Sequence, residues 1–203
     1  TTIAFTYKGD IYTVPVAGGR AMQITTNPAY DTAPVWSPDS KRIAFASDRM
    51  GSLDVYIVAK DGGEPRRLTT HSGSETPLAF TDAGHVLFSA GIMPSAEAVV
   101  FPSNGQFNQV YRVSVEGGRP TMISSMPMEC ISINKEGAML YQDKKGYEDY
   151  WRKHHVSPIA RDIWMYTPGK EPQYRQLTTV GGEDREPVWA PDGKKVSYRS
   201  EEN

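Results

Sequence analysis

Two acids, Asp39 and Asp192, occupy the same place in two closely similar stretches, PVWSPDSK (residues 34–41) and PVWAPDGK (residues 187–194). Paired carboxylates can divide acid and base work between them. Equivalent positions of successive repeats, however, belong to different copies of the folding unit. Trp-Ser/Ala-Pro-Asp is also turn chemistry, with proline presetting φ and a short carboxylate accepting backbone N–H groups. Asp39 and Asp192 therefore read as structural turn residues. His154 and His155 could ligate a metal, but adjacent residues of an extended chain point to opposite faces. A metal site needs three or four convergent ligands, and His71 and His85 fall in another repeat. Ser157 follows His154 by three residues, without the base and orienting acid of a triad being legible. A Gly-x-Ser-x-Gly elbow, a phosphate-cradling glycine loop and a His-Glu-x-x-His helix are all missing from the sequence. No catalytic residue, metal or cofactor is assigned.

The elements that would position such residues come from a repeat. Four segments begin alike: DIYTVPVAGGRAMQIT from Asp10, DVYIVAKDGGEPRRLT from Asp54, QVYRVSVEGGRPTMIS from Gln109 and DIWMYTPGKEPQYRQLT from Asp162. Each reads as strand, glycine turn, strand, and closes on an apolar residue followed by Thr or Ser. Because Gln109 stands where the others have Asp, this position reads as hydrogen bonding to a nearby loop rather than as an ionised catalyst. A second module, PVWSPDSKRIAFAS, PLAFTDAGHVLFSA, ISINKEGAMLYQ and PVWAPDGKKVSYRS, alternates apolar and polar residues across a turn and reads as a hairpin. Together the modules give four antiparallel strands per repeat, here termed A (Pro-Val-Trp), B, C and D. Radially arranged four-stranded repeats are propeller blades, with Trp36 and Trp189 filling the wedge between blades.

The predicted fold is all-β, a β-propeller over residues 1–203. Its blade pieces are 1–26 (partial), 33–70, 77–125, 129–179 and 186–203 (partial). Five blades are touched and three are complete, so a processed or excised fragment of a larger, six- or seven-bladed propeller is expected. With 203 residues and 38% hydrophobic content the chain can bury a sizeable core. A net charge of −2, from 22 basic and 24 acidic residues, supplies no excess positive field for nucleic acid. No apolar run approaches the ~20 residues of a spanning helix, so membrane insertion is not expected. The single cysteine, Cys130, excludes an internal disulfide and reads as a buried apolar thiol.

The combination LTT…PVWSPDSKRIAFASDRMGSLDVYIV resembles the propeller repeat of TolB and of the N-terminal half of tricorn-type serine peptidases. RKHHVSPIARDIWMY (residues 152–166), followed by QLTTVGGEDREPVWAPDGKK (residues 176–195), is similar to the bacterial tricorn-like peptidases more than to TolB. That resemblance implies a non-catalytic propeller whose parent chain carries its nucleophilic serine in a C-terminal protease domain. It also implies a periplasmic or secreted location. The third repeat departs from the pattern with INKEG, which puts its turn geometry in doubt.

Up-and-down blades put the A–B and C–D turns at one end and the B–C and D–A connections at the other. The turns keep a near-constant length. The B–C connections do not: two are twelve residues longer than the first, GIMPSAEAVVFPSNGQF (91–107) and DKKGYEDYWRKHHVSPIAR (143–161). Long loops on a rigid scaffold concentrate binding function. The predicted peptide- or protein-binding residues on that face are Tyr147, Tyr150, Trp151, Arg152, His154, His155, Arg161, Asp184 and Arg185. The bland alternative is a loop packed on the next blade. Expected partners are a peptide, the protease domain of the same parent chain, or a second copy of the chain. A TolB-like envelope scaffold is the alternative function, and a metal-dependent propeller lyase is a third.

Overall fold

A computed structural model describes residues 1–91, 108–145 and 157–201. The chain divides into two compact units, one formed by Thr1–Pro102 with Gln109–Ser125 and the other by Ser103–Asn108 with Met126–Asn203. The described residues are all-β, without a helix.

The first unit holds three antiparallel sheets. One has three strands, β1 (Thr2–Tyr7), β2 (Asp10–Pro15) and β3 (Met22–Gln23), in chain order. The next has four, β4 (Asp31–Trp36), β5 (Arg42–Ser47), β6 (Asp54–Ala59) and β7 (Arg66–Arg67). The third has β8 (Glu75–Asp82), β9 (His85–Ala90), β10 (Gln109–Ser114) and β11 (Thr121–Ser124). The second unit repeats the plan with β12 (Met128–Ile133), β13 (Met139–Asp143), β14 (Ile163–Thr167) and β15 (Gln173–Gln176), followed by a two-stranded sheet of β16 (Asp184–Trp189) and β17 (Val196–Ser200). Sequential strands pair throughout, which is the A-B-C-D order of a propeller blade.

Period-two alternation fills two cores in the first unit because its middle sheet is covered on both faces. Ile43 and Phe45 of β5 join Tyr56 and Val58 of β6 in a cluster with Ile11 and Ile24, against which Trp36 packs half-buried. The intervening residues Ala44, Val55 and Ile57 join Phe80, Val86, Phe88, Tyr111 and Val113 on the other side. An aromatic pair ties B to C in each sheet of this unit: Phe5 opposite Tyr12, Phe45 opposite Tyr56, Phe88 opposite Tyr111. Their rings stack with centroids 5.9, 6.0 and 5.7 Å apart, each contact worth about 0.5–1.5 kcal/mol beyond area burial. In the second unit Tyr141 stands opposite Trp164 at the same register.

The A–B turns show what the repeated acids do. Asp39 accepts hydrogen bonds from the Ser37 hydroxyl (2.6 Å) and the Lys41 N–H (3.1 Å). Those bonds hold its carboxyl below the usual range, the Ser37 contact most of all. Asp192 accepts the Lys194 N–H at 2.9 Å. In the divergent third repeat Asn134 takes over, accepting the N–H groups of Glu136 (3.1 Å) and Ala138 (2.9 Å). An amide oxygen serves the turn as well as a carboxylate does, so INKEG keeps the hairpin.

Strand A begins earlier than Pro-Val-Trp, at Asp31, Glu75 and Asp184. Three of the four A strands carry a bulge at the third residue, and that residue is left-handed without being glycine: Ala33 (φ 51°), Cys130 (φ 52°) and Glu186 (φ 55°). Such a conformation costs an L-residue about 1 kcal/mol. Cys130 is consequently exposed rather than a buried apolar thiol, because the bulge lifts it out of the alternation that would have turned it into the core.

Candidate functional site

The end of the sheets that carries the B–C and D–A connections is built from buried charge. The acid opening strand C is latched to strand D: Asp10 accepts from the Gln23 amide at 3.0 Å, Asp54 pairs with Arg67 at 2.8 Å, and Asp162 accepts from the Gln176 amide at 3.0 Å. Gln23, Arg67 and Gln176 hold the same repeat position. One step on, the hydroxyl that closes three of the repeats accepts the N–H of the second residue of strand C, with Ile11 to Thr25, Val55 to Thr69 and Ile163 to Thr178 all at 2.9 Å. Such bonds fix the mouth of the B–C connection in those repeats.

A second recurring device lies two residues past strand B. In the first unit Arg49 reaches both oxygens of the fully buried Asp31 at 3.0 and 3.1 Å, and its guanidinium lies over the Tyr56 ring at 4.6 Å. In the second unit Lys145 holds the corresponding place and contacts Asp162 at 2.5 Å, Asp143 at 3.6 Å and the Ala160 carbonyl at 2.8 Å. Burial disfavours the Lys145 ammonium, but Asp162 and Asp143 more than compensate and hold its pKa above the ordinary value.

Arg161 and Arg185 converge in the second unit on Glu183, which is 1% exposed. Arg161 meets it at 3.5 Å and Arg185 at 2.9 Å, while Arg161 also contacts Glu129 at 3.3 Å and Lys144 contacts Glu129 at 3.1 Å. Despite burial, which raises it, the Gln142 amide and Lys144 hold Glu129 below the usual carboxylate range. Asp184 opens β16 and is fully buried, so it offers no exposed group to a partner. Tyr147, Tyr150, Trp151, Arg152, His154 and His155 lie outside the described residues.

The site thus brings Arg161, Asp184 and Arg185 together, and adds Glu129, Asp143, Asp162 and Glu183 to them. Hydropathy conceals these acids, because a buried carboxylate reads as a surface residue. Repeat position gives part of the site away: Asp184 stands three before Pro-Val-Trp as Asp31 does, Asp162 opens strand C, and Lys145 stands two past strand B as Arg49 does. The Ser157 hydroxyl accepts the Ile159 N–H at 3.3 Å in a local turn. Among the described residues no group of three or more His, Cys, Asp or Glu is arranged to hold a metal ion. Chemically, the arrangement sets Glu129, Asp143, Asp162 and Glu183 against Lys144, Lys145, Arg161 and Arg185 at the loop bases, while neither carboxyl oxygen of Asp184 has a hydrogen-bond partner among the described residues.

Comparison with known proteins matches residues 1–203 to the model of the tricorn protease N-terminal β-propeller domain. Tricorn protease homolog 1 of Streptomyces coelicolor is 23% identical over 200 residues, which cover 98% of this chain and 18% of that protein. This chain therefore spans about a fifth of that relative. The crystal structure of TolB from Acinetobacter baumannii superposes with a TM-score of 0.72 at 18% identity, covering 97% of this chain and 46% of TolB. That of the tricorn protease gives a TM-score of 0.69 at 17% identity, covering 97% and 21%.

Proposed function

This chain belongs to the family of tricorn protease N-terminal β-propeller domains, and from that membership we propose that it is the non-catalytic propeller of a longer serine peptidase. In this reading the propeller screens or channels peptides toward an active site elsewhere in the parent and contacts the protease domain or a neighbouring subunit. The working surface is the end bearing the B–C and D–A connections. One observation carries the proposal: the A–B turns are short and satisfied by their own Asp or Asn side chains, whereas the other end anchors long connections on buried ion pairs. Scaffolds that must hold a loop in one place use such second-layer bonding. A TolB-like envelope scaffold is the second reading, favoured by the superposition on TolB.

The parent chain tests the proposal. Deleting residues 147–156 is expected to change casein hydrolysis about tenfold or more, while hydrolysis of a short fluorogenic peptide and the melting temperature stay near wild type. Unchanged casein hydrolysis in a folded, active variant contradicts the screening role. A parent without peptidase activity that is pulled down with envelope proteins supports the TolB-like reading instead.

A further inference from the structure

Glu75 opens β8 fully buried, and among the described residues neither of its carboxyl oxygens has a hydrogen-bond partner of normal geometry. The groups around it are only partly engaged, since the Thr69 hydroxyl keeps a proton to donate and the buried Arg67 Nε has no partner among the described residues. Arg67 of β7 is paired with Asp54 at 2.8 Å, and the Thr69 hydroxyl accepts the Val55 N–H at 2.9 Å. His71 Nδ1 lies 3.9 Å from Glu75 but accepts the Gly73 N–H at 3.0 Å, so the nitrogen facing the carboxyl presents a lone pair rather than a proton. Tyr56 beside Arg67 is neutral near physiological pH, and beyond it Arg49 is spent on Asp31. Within its own sheet Glu75 stands opposite Ala90, whose other partner is Gln109, and neither brings charge.

The cation that the repeat places two residues past strand B elsewhere, Arg49 or Lys145, is replaced in this sequence position by isoleucine, Ile92. Two buried carboxylates, Asp54 and Glu75, therefore share one arginine. An uncompensated buried carboxylate takes up a proton rather than remain ionised.

We propose that Asp54 and Glu75 form a proton-operated latch at the base of the connection that leads from β7 into β8. With the proton bound, the Glu75 carboxylic acid donates to the Asp54 carboxylate and Arg67 balances the remaining charge. The connection is then tied to the start of β6, where the Glu75 N–H already donates to the Leu53 carbonyl at 2.7 Å and the Ser52 hydroxyl to the His71 carbonyl at 3.3 Å. Loss of the proton leaves two like charges facing each other without solvent, and the connection loosens. The latch does not depend on whether the loop end binds peptide.

Burial pushes the Glu75 carboxyl up to about 7, the Asp54 charge adding to it while the Thr69 hydroxyl and Arg67 oppose. A carboxyl raised in the folded state stabilises the fold most below its unfolded value near 4.3, and that stability is lost as pH rises through about 7.

Side-chain carboxyl NMR of the 203-residue chain tests this directly. One Glu resonance is expected to titrate with a midpoint near 7, to vanish in Glu75→Gln, and to move down by about one unit or more in Asp54→Asn as the neighbouring charge is removed. Relative to Glu75→Gln, the wild-type melting temperature should fall by about 5 °C between pH 5 and pH 8. His71→Ala should keep that dependence, which assigns it to the carboxyl rather than to the neighbouring imidazole. A Glu75 midpoint below about 5, or a pH dependence that survives Glu75→Gln and disappears with His71→Ala, overturns the latch.

Discussion

Replacing Arg49 by methionine is expected to destabilise the first unit by about 3–5 kcal/mol. Asp31 is 0% exposed and receives both of its charged contacts from Arg49, whose side chain is itself only 12% exposed. Methionine fills much of the same volume but strands a carboxylate in the interior, where it must either take up a proton or distort the sheet. The guanidinium also donates to Ser47 at 2.8 Å and lies over Tyr56, so two further contacts disappear with it. Urea unfolding at pH 7 reads the loss. The partner variant sharpens the result: adding Asp31→Asn to Arg49→Met should recover part of it, because the unpaired charge goes too. A loss below about 1 kcal/mol is what an exposed ion pair gives, and would contradict the buried role assigned to this contact.

Phe45→Ala is expected to cost about 3–5 kcal/mol. The ring is fully buried among Ile11, Ile24, Ile43, Tyr56 and Val58, and stacks on Tyr56 at 6.0 Å, so truncation opens a cavity lined by two sheets and removes the aromatic pair. Since Arg49 lies 5.6 Å above the same ring, Phe45→Ala and Arg49→Met are not independent. Their combined cost should fall short of the sum by about 0.5 kcal/mol or more. Additive losses would mean that the guanidinium does not use the ring.

Both variants act on features that were unequally legible in the sequence. Phe45 and Tyr56 belong to a period-two pattern repeated in several copies, and glycine turns punctuate it, so blade register follows from the chain alone. The bulges do not follow. Ala33, Cys130 and Glu186 take left-handed backbone without the glycine that would advertise it, which is why Cys130 emerges on the surface. The buried charges were hidden for a related reason. Asp31, Glu75 and Asp184 precede the apolar core of strand A and read as loop residues, yet each is the first residue of the strand and fully buried. Asp31 is answered by Arg49 from another segment, and pairing across segments leaves no local trace. Asn134 marks the opposite case, where an apparent departure from the motif preserves the same turn bonds. The aromatic and basic residues between 147 and 155 lie outside the described residues, so their role stays with the loop deletion in the parent chain.

Casein hydrolysis by the purified 203-residue chain, with folding verified by circular dichroism, most directly tests a non-catalytic propeller. Turnover indistinguishable from buffer is expected, both for the wild type and for Ser157→Ala. Robust cleavage by the wild type that Ser157→Ala abolishes would place a nucleophile within this chain and contradict the account.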